Sequence, residues 1–203
     1  LNDSWAQIAI TEALAEVGAG NLKQATDDLD AALAHSGSVF VRLRAARLLA
    51  EAGEEEKAQR LVGEVTRLAP SNTMIHSVGI PSVQAAIEMR HGNAEKAIDL
   101  MKAAVPYDRG RPGVRRMRGL AYLMARRGPE AVQELQAALD LRSTDPNAPL
   151  FSFLRVDLAR AHALNGNTAE SRRLYEDFLA LWNEADPDLP LLKKVRDEYA
   201  RLR

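Results

Sequence analysis

The stretch Asp157-Leu158-Ala159-Arg160-Ala161-His162-Ala163-Leu164-Asn165-Gly166-Asn167-Thr168-Ala169-Glu170-Ser171-Arg172-Arg173-Leu174-Tyr175-Glu176-Asp177-Phe178-Leu179-Ala180-Leu181 decides the fold. Leu158, Ala159 and His162 fall on one face at helical spacing, Gly166-Asn167 interrupts, and Ser171, Tyr175, Phe178 and Leu179 resume the period on a second segment. Two apolar helical stripes broken by Gly-Asn make a helical hairpin. Counting from Ala159, the turn glycine comes seven residues on, the small Ser171 twelve on and the aromatic Tyr175 sixteen on. That template recurs upstream four more times, so the chain reads as a stack of hairpins.

The small residue near the start of each second helix gives the register: Ala25, Ala58, Ala97, Ala131 and Ser171, spaced by 33, 39, 34 and 40 residues. Gly20, Gly53, Gly92 and Gly166 each stand five residues before an anchor. The expected hairpins span about 3–35, 38–70, 73–106, 113–141 and 149–183, in a single domain covering 1–203. In the first, Asp3 reads as the N-cap, followed by Trp5, Ile8, Ala9 and Ala13. Ile80-Pro81 in the third predicts a long first helix bent at the proline, with a separate short helix as the fallback. In the fourth, Gly128, displaced by two residues and followed by Pro129, reads as the turn glycine. Loops are expected at 107–113 and 142–149. A last segment, about 187–203, carries Leu191, Leu192, Val195, Tyr199 and Leu202 on one stripe and charges on the other. A stack of hairpins leaves its final apolar face bare, and a helix of this kind caps it.

Composition narrows the function. Lys plus Arg 27 against Asp plus Glu 28 gives a net charge of −1, which argues against a whole-domain nucleic-acid footprint. Cysteine is absent, so neither a disulfide framework nor a thiolate metal site can form. No apolar run is long enough to span a bilayer, so no membrane insertion is expected within these residues, and the compartment stays open between cytoplasm and periplasm. His35, His76, His91 and His162 are not at metal-ligand spacing, and no cofactor motif is present. The carboxylates Glu54-Glu55-Glu56 open a helix, where the N-terminal partial charge favours them. Ser36, Ser38, Ser71 and Ser82 read as caps and turns. No serine sits in a nucleophile motif, so no catalytic residue is assigned.

Five hairpins in register with a period near 34 residues resemble the tetratricopeptide repeat (TPR) family along nearly the whole chain. The resemblance implies an all-α fold, a right-handed α-α superhelix of five helical hairpins plus a capping helix. The closing run from Ala159 to Leu202 resembles more particularly the C-terminal repeat region of bacterial eukaryotic-like serine/threonine protein kinases and related membrane-anchored winged-helix regulators. That likeness implies a kinase or DNA-binding domain and a membrane span preceding Leu1, with this part as an extracytoplasmic sensing or docking module. Kinase chemistry itself is absent, since there is no Gly-rich phosphate loop, H-R-D or D-F-G.

By the family's register, the inward positions of the first helices are Leu43, Arg44, Arg47, Ala50, Ala86, Met89, Arg116, Leu120, Leu123, Val156, Arg160 and Leu164. Apolar side chains interspersed with guanidinium forks suit an acidic-hydrophobic extended peptide or protein segment. The alternative is a small-molecule sensor with a closed pocket under the loops at Tyr107 and Asp145. A homo-oligomer remains open. Seven arginines, Arg109, Arg111, Arg115, Arg116, Arg118, Arg126 and Arg127, face only Asp108 locally. Solvation or pairing within the chain ranks first for them, an acidic partner second, and nucleic acid last, because only Tyr122 offers an aromatic platform.

Overall fold

A computed structural model describes residues 2–144 and 148–202, and it is all α, with no strand among the described residues. The chain divides into two units: Leu1–Val17 with Asn21–Arg109, and Gly18–Gly20 with Gly110–Arg203. Unit 1 contains most of α1 (Asn2–Ala19), then α2 (Leu22–His35), α3 (Val39–Ala52), α4 (Glu55–Leu68), α5 (Ile80–Arg90) and α6 (Ala94–Met101). Unit 2 contains α7 (Pro112–Met124), α8 (Gly128–Leu139), α9 (Leu150–Leu164), α10 (Thr168–Leu181) and α11 (Pro190–Arg201). Short 3₁₀ turns follow α6 (Lys102–Tyr107) and α8 (Asp140–Thr144). The 142–149 loop expected from the sequence includes 145–147, which lie outside the described residues.

The hairpins share one frame at the level of the backbone. Ala25, Ala58, Ala97, Ala131 and Ser171 are each the fourth residue of a second helix, and each is completely buried. Each donates its backbone N–H to the carbonyl of the residue just before its helix: Asn21, Glu54, Asn93, Arg127 and Asn167. Those five residues in turn donate to Glu16, Leu49, Glu88, Tyr122 and His162 in the first helix, closing the same turn five times. The turn needs a residue with positive φ, and Gly20, Gly53, Gly92 and Gly166 supply it at 91°, 98°, 80° and 76°. In the fourth hairpin the position falls to Arg126, at φ 58°, and not to Gly128, which is buried in the first turn of α8. The glycine expected from the sequence was two residues late because the turn geometry is fixed by distance to the anchor, whatever residue stands there.

Two further expectations are corrected. Asp3 is not the N-cap: α1 starts at Asn2, and the Asp3 carboxylate accepts a 2.5 Å hydrogen bond from the Ser36 hydroxyl. Ser82 is neither cap nor turn; it is buried in α5 and donates to the Val78 carbonyl at 2.6 Å. Near Pro81 the helix is indeed long and runs without a break from 73 to 90, with its irregularity as a π-turn at Ile75–Gly79. Ile80 donates to the carbonyl of Ile75, five residues back, so the widened turn lies where the Pro81 ring would otherwise press on the preceding turn. Gly79 is required there by crowding, since a Cβ on it would come within 2.0 Å of Leu43.

The cores follow from the stripes. In unit 2, Leu135, Phe151, Leu154, Leu158, Tyr175 and Phe178 form a cluster that Leu192 and Val195 of α11 complete. Both α11 residues are wholly buried, while Lys193, Lys194, Arg196 and Asp197 on its other side are exposed. Each such burial contributes about 1.5–3 kcal/mol, which is why α11 stays docked with few residues.

Candidate binding face

The first helices of unit 1 place Arg44, Arg47 and Met89 toward solvent and bury Leu43, whose side chain packs onto Gly79. Arg44 is exposed, and its guanidinium donates to the side-chain oxygen of Gln7 on α1. Burial of its charge first, and then the neighbouring charge of Arg47, hold its pKa below the usual guanidinium value. Arg47 itself is half-buried and paired with Glu51 one turn along α3. Phe40, one turn before Arg44 on the same helix, is 57% exposed, and Ile8, next to Gln7, is 58% exposed.

In unit 2, Leu120, Leu123 and Leu164 are half-buried, and Val156 is enclosed in the core. Val156 therefore offers a ligand no surface, and neither does Leu43. The two arginines of this face are already engaged. Arg116 donates to Asp157 at 2.7 Å and lies 5.9 Å over the ring of Phe153. Arg160 reaches the other oxygen of Asp157 at 3.4 Å and Glu198 of α11 at 2.9 Å. Burial works against the Arg160 charge, but the two carboxylates outweigh it and hold its pKa above the usual value. Tyr175 closes the network by donating to Glu198 at 2.9 Å; burial and then the Glu198 charge push its phenol above the ordinary range.

The arginine-rich stretch resolves largely into ion pairs within unit 2. Arg115 and Arg118 converge on Glu134 at 3.5 and 2.8 Å, and Arg127 pairs with Glu130 at 2.7 Å while lying 4.9 Å over Tyr122. The sequence reading missed Asp157, Glu198, Glu134 and Tyr175 as partners. A signal for two of them was present, because Arg116 and Asp157 are 41 residues apart and Arg160 and Glu198 are 38 apart, close to the spacing of successive hairpins.

Two clefts lie in unit 1 between successive second helices. The larger, about 390 Å³, has Val62 of α4, Ile87 of α5 and Leu100 of α6 among its walls, flanked by Gln59, Gln84 and the Glu88–Lys96 ion pair. The smaller, about 180 Å³, lies between α2 and α4 over Leu49, near the 2.7 Å Lys57–Asp30 pair. Neither is lined by residues of the 107–113 loop. No helix among the described residues is long and apolar enough to cross a membrane.

No family model matches the chain, and no curated protein matches it. Solved structures do. A MamA chain running from residue 41 to its end, from Desulfovibrio magneticus RS-1, matches with a TM-score of 0.52 at 16% identity, covering 89% of this chain and 97% of that one. A Podosopora anserina chain described as a kinesin light chain with nearly identical TPR-like repeats matches with a TM-score of 0.50 at 18% identity, covering 91% and 97%. At such identities the likeness is one of fold, and the fold is an all-α, TPR-like solenoid of helical hairpins.

Proposed function

We propose that the chain is a non-catalytic scaffold that holds a protein or peptide segment on its first-helix faces. The observation that carries this reading is the repeated hairpin frame, which leaves half-buried apolar side chains on the first helices of each unit by itself, Met89 in unit 1 and Leu120, Leu123 and Leu164 in unit 2. The ligand class is an extended segment with acidic and apolar side chains. Peptides selected from a random displayed library for binding to the whole chain should protect α1, α3, α5, α7 and α9 from hydrogen exchange. Protection confined to α2, α4, α6, α8 and α10 contradicts the reading.

The signalling context, a sensing or docking module of a larger bacterial kinase or transcription regulator, rests on the resemblance of 159–202. A kinase or winged-helix domain followed by an apolar span, upstream in the parent gene, is the expected finding; any other upstream content removes this context. The second reading is a small-molecule sensor, and the cleft of about 390 Å³ has the volume for a ligand although it is open and away from the 107–113 loop where the sequence places a closed pocket. A sensor using it should gain thermal stability with one member of a metabolite panel and lose that gain in Ile87→Trp.

A further inference from the structure

The four arginines of the first-helix faces are not equivalent. Arg116, Arg160 and Arg47 each hold a carboxylate of the chain itself: Asp157, Asp157 with Glu198, and Glu51. Among the described residues, Arg44 has only the neutral side-chain amide of Gln7. That bond fixes the guanidinium between α1 and α3, uses one of its five donors and neutralises none of its charge. Phe40, one of the most exposed large apolar side chains, lies one helical turn before Arg44 on the same face, and the equally exposed Ile8 follows Gln7 on α1.

We propose that Arg44, with Gln7, Phe40 and Ile8, is the seat for a carboxylate on a bound peptide segment, with apolar side chains next to that carboxylate lying on Phe40 and Ile8. The proposal rests on the scaffold reading and sharpens it: of the four candidate arginines, Arg44 selects the acid, while Arg47, Arg116 and Arg160 are engaged within the chain. An acidic residue flanked by Leu or Phe satisfies both parts of the seat, whereas a purely acidic tail leaves Phe40 and Ile8 wet and a purely apolar segment leaves Arg44 without a counter-charge.

The test uses the whole chain and two sets of short fluorescein-labelled synthetic peptides, one with a central Asp between Leu or Phe residues and the other with Asn in place of the Asp. Anisotropy should show the Asp set binding at least tenfold more tightly, and Arg44→Gln should remove about tenfold of affinity for Asp peptides while leaving Asn peptides unchanged. Phe40→Ala should weaken Asp peptides with Leu or Phe neighbours more than Asp peptides with Gly neighbours. Helical circular dichroism and the unfolding midpoint of Arg44→Gln should match the parent, since Arg44 is exposed. Asp peptides that bind both proteins equally would overturn the seat while leaving a peptide scaffold intact. Binding of neither set would overturn the seat, and with it the acidic ligand class. Loss of binding in Arg160→Gln but not in Arg44→Gln would assign the acid to unit 2 and overturn the proposal.

Discussion

Unit 1 and unit 2 are built from the same hairpin, but Arg44 of unit 1 and Arg116 of unit 2 meet opposite treatment from the first helix beside them. In unit 2 the carboxylate of Asp157, 2% exposed, lies between Arg116 and Arg160, and α11 adds Glu198. In unit 1 the α1 side chain that meets Arg44 is an amide, Gln7, which carries no charge to compensate the guanidinium. A first-helix cation can therefore be structural in one hairpin and, among the described residues, without a counter-charge in another. What separates Arg44 from Arg116 is the side chain that a neighbouring first helix offers, a neutral amide from α1 against a carboxylate from α9.

The largest expected effect tests that contrast directly. Asp157→Ala takes the carboxylate from Arg116 and leaves Arg160 with Glu198 alone, and should cost about 3–5 kcal/mol of unfolding free energy, measured by urea titration. Arg44→Ala should cost less than about 0.5 kcal/mol. Comparable losses would erase the distinction between the two units. The next effect examines what the units share. Ala97→Leu in unit 1 and Ala131→Leu in unit 2 push bulk into completely buried anchor sites, and each should cost about 1–3 kcal/mol, whereas Glu95→Leu on the exposed side of α6 should cost little. Unequal anchor costs would show that the repeat frame is not energetically common.

A smaller and opposite pair concerns the turns. Gly53→Ala forces a Cβ into a left-handed conformation and should destabilise by about 1 kcal/mol, while Arg126→Gly in unit 2 relieves that strain and should stabilise by about 0.5–1 kcal/mol. The finest effect is in pH. Burial holds the His162 pKa below 6.5, opposed by Glu170 and reinforced by Arg173. A folded pKa below the unfolded one makes its contribution complete above about pH 6.5 and lost as the pH falls through the folded value. Hydrogen exchange of α9 and α10 amides should therefore quicken as pH drops below 6.5, after correction for intrinsic rates, and His162→Gln should flatten that trend while leaving α3 and α4 unchanged.

The hairpins were legible because packing between close helices demands a small residue at a fixed place, and Ala25, Ala58, Ala97, Ala131 and Ser171 meet that demand in plain sequence. The Arg126 turn was not legible, because a glycine two residues away, Gly128, drew the eye from the count that matters. The length of the helix through Pro81 could be read from periodicity. Its π-turn could not, because a change of hydrogen-bond partner by one residue leaves no mark in composition. The candidate face was half legible: register selects the side of a helix, but not whether a neighbouring chain segment already covers a residue, as happens to Leu43 and Val156, or already answers its charge, as Asp157 and Glu198 do.

The widened turn ahead of Pro81 shifts the phase of the helix, and beyond it Pro81, Ser82, Val83, Ala85, Ala86 and Ile87 are buried with only Gln84 exposed among them. A rod with almost no wet side cannot serve as the end of a stack. Shortened versions of the protein that stop at Arg90, or that begin at Ile80, would bare greasy surface on several flanks at once and should precipitate, so α5 must be kept together with α3, α4 and α6 in any minimal fragment.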